Sequence, residues 1–83
     1  MSNREKLKLL LTDVFLLEPS EFRFDLLRSE VDTWDSLGIV SMAVGIQETF
    51  GHHLRPEEAM AIKGVQDIIS LLESKGVSFD ESA

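Results

Sequence analysis
Eighty-three residues suffice for one domain around one modest core and are too few to enclose a large substrate pocket. The chain has no cysteine, which excludes a disulfide framework, a thiol nucleophile and a zinc–cysteine site. Its formal charge of −7 argues against nucleic acid, which needs a basic face, and favours partners with basic docking surfaces.

That charge is uneven. Residues 29–62 hold Glu30, Asp32, Asp35, Glu48, Glu57 and Glu58 against Arg55 alone, so the acidity gathers around Ser36. No apolar run is long enough to span a bilayer. The start, Met1-Ser2-Asn3-Arg4-Glu5, lacks the basic-then-apolar pattern of a signal peptide. The expectation is a soluble, cytoplasmic, monomeric domain over 1–83. Its ordered core should cover about 3–76, with 77–83 as a frayed tail.

In chain order, Leu7, Leu10, Leu11, Val14 and Phe15 recur at helical spacing and predict a helix over 3–17, capped by Ser2 or Asn3 and ended by Pro19. Leu9, Leu16 and Leu17 widen its stripe and suggest two packing neighbours. Residues 18–35 form a long connection whose Phe22, Phe24, Leu26, Leu27 and Val31 are too apolar for a free linker and should fold back on the bundle. A second helix is predicted over 36–50, with Asp35 as its N-cap. Ile39, Met42, Ala43, Ile46 and Phe50 form its core stripe. Leu37, Val40 and Val44, with Ser41 and Glu48 beside them, form a second face suited to contact with another protein. Gly38 and Gly45, which each weaken a helix by roughly 1 kcal/mol relative to alanine, suggest close approach of the loop. Gly51 stops this helix. Pro56 opens a short third helix to about Ile62, with Glu57 and Glu58 at its positive end and Ala59, Met60 and Ile62 on its apolar side. The fourth runs over 65–74 and closes at Lys75-Gly76. The sum is an all-α fold: a small four-helix bundle, three helices longer and one short, with a long loop between helices 1 and 2.

The chain is organised around Asp32-Thr33-Trp34-Asp35-Ser36-Leu37-Gly38, where the loop turns into the second helix. As a catalytic nucleophile Ser36 would need a base in reach. Only His52 and His53 could serve as histidine bases, and they follow the opposite end of a helix about 22 Å long. They also lack a third metal ligand at any suitable spacing. A phosphate ester on Ser36, in contrast, would sit beside free N–H groups at the positive end of the helix dipole.

Trp34-Asp35-Ser36-Leu37-Gly38-Ile39-Val40 through Gln47-Glu48-Thr49-Phe50-Gly51, followed by Leu54-Arg55-Pro56-Glu57-Glu58 and Val65-Gln66-Asp67-Ile68-Ile69, resembles the acyl carrier proteins and, more broadly, phosphopantetheine-dependent carrier domains. With the leucine-rich first helix the resemblance covers nearly the whole chain. It implies that Ser36 is the attachment serine. A phosphopantetheinyl transferase, using coenzyme A and magnesium, would join 4′-phosphopantetheine to its oxygen, and the arm would carry an acyl thioester. It implies that Asp35 helps position the transferase's substrate or metal. The carrier would be non-catalytic, would bind no metal of its own, and would meet acyl-loading and acyl-processing enzymes through its second helix and Glu57 and Glu58. Carriers of primary fatty-acid synthesis usually have acidic residues where Gly38 and Ser41 stand, and a common glutamate where Gln47 stands. These departures, together with Trp34, imply a specialised pathway and docking that is less sensitive to salt.

Two other readings stay open. An aminoacyl carrier, peptidyl or D-alanyl, shares the fold and the serine. An unmodified helical interaction module would use the Leu37–Val40–Val44 face and would not need Ser36.

Overall fold
In the computed structural model, which describes residues 2–79, the first helix begins where Ser2 accepts the Glu5 backbone N–H at 3.1 Å. This helix, α1, spans Asn3–Val14 and stops short of the expected residue 17. The cause is Leu16, which adopts a left-handed conformation with φ 57°. The chain then doubles back, and the Leu17 N–H reaches the Thr12 carbonyl at 2.9 Å. This turn sends Phe15 into the core and leaves Leu16 81% exposed. A non-glycine residue there is disfavoured by about 1–2 kcal/mol, a cost that burial of the Phe15 ring offsets. Pro19 is not the terminator; it opens a separate 3₁₀ turn, Pro19–Glu21. Of the widened stripe, Leu9 and Leu16 are exposed, while Leu17, past the end of α1, packs half-buried against the core.

The connection to the next helix is ordered by what it packs on. Leu26 and Val31 are buried, Phe22 and Phe24 lie half-buried edge to face, and Leu27, expected to fold back with them, is exposed. A second 3₁₀ turn covers Arg28–Glu30. Backbone bonds lace this stretch to the start of the last helix: Arg28 N–H to Lys63 O at 2.8 Å, and Val65 N–H to Leu26 O at 2.9 Å. The Gln66 amide adds a bond to Phe24 O at 2.8 Å. The loop therefore behaves as part of the core wall.

Helix α2 spans Ser36–Phe50, the bounds its sequence predicts. Gly51, at φ 73°, returns its N–H to Gln47 O and closes the helix. Helix α3 spans Pro56–Ala61, one residue shorter than expected, because Ile62 turns extended to enter the core. Met60 points out and leaves Ala59 and Ile62 as the inward side chains. Helix α4 spans Val65–Ser74 and buries Val65, Ile68, Ile69 and Leu72. Among the described residues there are four helices and no strand. The core joins Leu7, Leu11 and Phe15 of the α1 side to Met42 and Ile46 of α2 and to the inner face of α4.

The expected fraying after residue 76 is overturned for 77–79. Phe79 is buried with its ring 5.9 Å from that of Phe50. The Arg4 side chain donates to Phe79 O at 2.8 Å and Asn3 to Ser78 O at 2.9 Å. A single aromatic seven residues from the fourth helix's last hydrophobic residue gives no local sign of this contact, which forms across seventy-five positions. Residues 80–83 of that stretch lie outside the described residues.

Two carboxylates tie loop ends to the bundle. Glu30 accepts the Leu27 N–H at 2.9 Å and pairs with Arg23, and these hold it below the ordinary carboxylate range, the backbone bond first. Glu58 accepts the Arg55 N–H at 2.9 Å and faces Lys75 and Arg55, with the same direction of shift. Both are favoured ionised in the fold. Their contribution is full above the unfolded-state value of about 4.3 and fades as pH falls through the lower folded values. The urea midpoint is therefore expected to drop between pH 5 and 3, and Glu30→Gln with Glu58→Gln should flatten that drop.

Candidate functional site
Ser36 is the first residue of α2, and the turn before it is pinned residue by residue. Thr33 donates its hydroxyl to Phe15 O at 2.6 Å. Trp34 is buried and stacks on Phe15 with centroids 4.6 Å apart and planes 18° from parallel. Arg28 donates from Nε to Trp34 O at 3.0 Å. Asp35 accepts the Gly38 N–H at 2.9 Å and caps the helix. The α1 end, the loop and the tryptophan thus fix where α2 starts. Ser36 is left exposed, and its hydroxyl has no hydrogen-bond partner among the described residues.

Gly38 shows how tight this turn is. A Cβ there would overlap the Thr33 carbonyl oxygen and lie 3.1 Å from the Phe15 ring. The approach of the loop expected at this glycine is present. At Gly45 it is not: the atom a Cβ would meet belongs to the Leu10 side chain of α1. Glycine to alanine inside a helix ordinarily gains about 1 kcal/mol. Gly38→Ala is expected to reverse that sign and lose about 1–3 kcal/mol, because backbone must move. Gly45→Ala should be milder, since a leucine tip can swing aside. Urea unfolding of the two variants beside the parent checks the contrast.

On the outer face of α2, Leu37 is 75%, Val40 59% and Val44 53% exposed, and Ser41 and Glu48 are exposed with them. Glu57 is also exposed, while Glu58 turns inward to Lys75. Beside this face runs an apolar groove of about 320 Å³ between α2 and α3. It starts at Ser36. Ile39, Ala43, Leu54 and Ala59 form its floor, and Val40, Val44, Pro56 and Met60 its rim. Ser36, Val40 and Val44 are thereby brought together, whereas Leu37, Ser41, Glu48, Glu57 and Glu58 stand outside the groove.

Gln47 and His53 also line the groove, and the sequence reading assigned neither to a site. The signal was present: 36, 40, 43, 44 and 47 share one helical stripe. His53 comes to it because Gly51 turns the chain back along α2, and its Nδ1 lies 3.2 Å from Gln47 Oε1. Among the described residues no three potential ligands cluster for a metal, and no helix is long and apolar enough to cross a membrane.

No protein-family model matches the chain. Individual proteins do. The acyl carrier protein of Solidesulfovibrio magneticus is 32% identical over 75 residues, spanning 90% of this chain and 96% of that protein. The acyl carrier protein of Thermosynechococcus vestitus is 30% identical over 71 residues, covering 86% and 88% of the two chains. That of Coprothermobacter proteolyticus is 29% identical over 70 residues, covering 84% and 85%. With similarity of that extent over a four-helix fold, the chain belongs to the acyl carrier protein family.

Proposed function
We propose that the protein carries acyl groups on a 4′-phosphopantetheine arm attached to Ser36. The observation that carries this reading is an exposed, unpartnered serine hydroxyl at the start of a rigidly placed helix, at the mouth of an apolar groove. Attachment forms a bond from the Ser36 oxygen to the phosphorus of the pantetheine-bearing phosphate of coenzyme A. The bond from that phosphorus to the bridging oxygen breaks, adenosine 3′,5′-bisphosphate leaves, and the serine proton passes to the transferase. The residues fit the group. N–H groups of the first α2 turn, beyond the one Asp35 takes, face the resulting phosphodiester, and the helix dipole favours its charge. Asp35 stands beside the reacting oxygen, available to orient the transferase's magnesium or substrate. The arm supplies a thiol that holds the acyl group as a thioester.

The chain itself performs no turnover. It presents cargo to partner enzymes through the Leu37–Val40–Val44 face, with Ser41, Glu48 and Glu57 at its border. Because Gly38, Ser41 and Gln47 replace acidic side chains in that region, apolar contact outweighs charge in this docking. The same replacements support a specialised pathway, and we read the chain as a cytoplasmic carrier domain. The groove favours an acyl over an aminoacyl cargo, because among the described residues no carboxylate lines it to receive an ammonium group. Intact-protein mass spectrometry after incubation with coenzyme A, magnesium and a broad-specificity phosphopantetheinyl transferase tests the reading. One added phosphopantetheine, mapped to the Ser36 peptide, is the expected result. No addition to the folded protein with several transferases would favour the unmodified interaction module.

A further inference from the structure
We infer that the Gln47–His53 pair is a specificity element that selects acyl cargo with an uncharged oxygen function, such as a hydroxyl, near its distal end. This rests on the reading of Ser36 as the attachment site. The groove beginning at Ser36 is apolar along its length, and besides Ser36 its only polar linings among the described residues are Gln47 and His53. Gln47 lies eleven residues along α2, about 16 Å from the serine. When the arm folds back so that its thiol feeds the chain in from the Ser36 end, the chain meets hydrocarbon first and a polar pair last.

The chemistry of the pair defines what it takes. An amide oxygen only accepts, so His53 Nδ1 carries the proton in its 3.2 Å contact with Gln47 Oε1. With the proton on Nδ1, Nε2 is left as the ring's acceptor, and the Gln47 NH₂ keeps two donors. A hydroxyl, which both accepts and donates, satisfies the two together. A methyl terminus would instead cover these groups without replacing their water. A carboxylate would be repelled, since residues 29–62 carry a net charge of −5 and Glu48 and Glu57 stand exposed on the neighbouring surface, outweighing Arg55. The volume suits a medium chain. At about 30 Å³ for each water-sized group, 320 Å³ holds roughly ten non-hydrogen atoms, the size of a hydroxylated eight-carbon acyl group.

The test loads the protein from octanoyl-, 8-hydroxyoctanoyl- and 7-carboxyheptanoyl-coenzyme A, confirms each product by mass, and compares thermal midpoints. Amide nitrogen shifts of Ala43, Gln47 and Ala59 are recorded alongside. The hydroxylated cargo is expected to raise the midpoint about 4–8 °C above the methyl-ended one, the scale of one net hydrogen bond in a domain this small. It should also shift the Gln47 side-chain amide. The carboxylate-ended cargo should stabilise least. In Gln47→Leu/His53→Leu, two exposed positions whose change leaves the core intact, the order of hydroxyl and methyl should invert. A methyl-ended cargo that matches the hydroxylated one in the parent overturns the inference, as does a preference that survives the double variant. Failure to load any cargo at Ser36 would show in the mass alone and would overturn the carrier reading beneath it.

Discussion

Ser36→Ala is expected to abolish loading by a phosphopantetheinyl transferase while leaving the fold untouched. The two halves have separate causes. Loading needs an oxygen at position 36, and alanine has none, so the added mass should vanish rather than diminish. Stability does not need that oxygen, because the Ser36 hydroxyl is exposed and makes no hydrogen bond among the described residues. Capping belongs to Asp35, whose bond to the Gly38 N–H is unaffected. The unfolding free energy should therefore stay within about 0.5 kcal/mol of the parent, as for most surface changes away from special features. Ser70→Ala, an exposed serine on α4 away from the docking face, is the matched control and should load like the parent. Mass spectrometry with a urea melt reads both halves. Residual loading of Ser36→Ala, or failure of Ser70→Ala to load, would relocate the attachment point.

Trp34→Ala is expected to remove most of the domain's stability. The indole is 3% exposed and stacked on Phe15, and the loss for an aromatic truncated to alanine in a core is about 3–5 kcal/mol. A domain of this length has only about 4–12 kcal/mol in all. The damage should reach the site as well, since the Trp34 carbonyl receives Arg28 and the next residue is the helix cap. Trp34→Phe should behave differently. The indole Nε1 is buried without a partner among the described residues, so its removal leaves no group newly unsatisfied. The lost volume then dominates, and the change should stay within about 1.5 kcal/mol. Far-UV circular dichroism in urea is the suitable probe, because Trp34 is the only tryptophan.

Where a sequence signal was local, it read true. Asp35 and Gly51 bracket α2 to the residue, and Val65 to Ser74 carries its own helical stripe. The geometry around the serine was legible in the same way: Asp35 caps the helix ahead of Ser36, and Leu37, Val40 and Val44 form a second apolar face on it. The misses share a cause, which is that contact between distant segments decided them. Leu16 leaves the helix because Phe15 must turn inward onto Trp34, nineteen positions away. Phe79 is held by Arg4 and Phe50, and Leu27 surfaces because the backbone around it is committed to Lys63 and Gly64. Trp34, offered by the sequence as a marker of pathway, is the wedge that seats the serine turn, a role set by its stacking on Phe15. His53 carries no local sign of its place in the groove, since only the reversal at Gly51 brings it beside Gln47.

The clasp of Asn3 and Arg4 on Ser78 and Phe79 draws head and tail of the described chain to one pole of the molecule. Phe79 rests on Phe50, the last residue of α2, and Ser36 is the first, about 21 Å away along the helix axis. Anything fused to either end, whether a tag, a linker or a second domain, sets out from the side of the bundle remote from the serine. Such a bead can be strung on a tether at both ends and still turn its serine pole freely away from the tether.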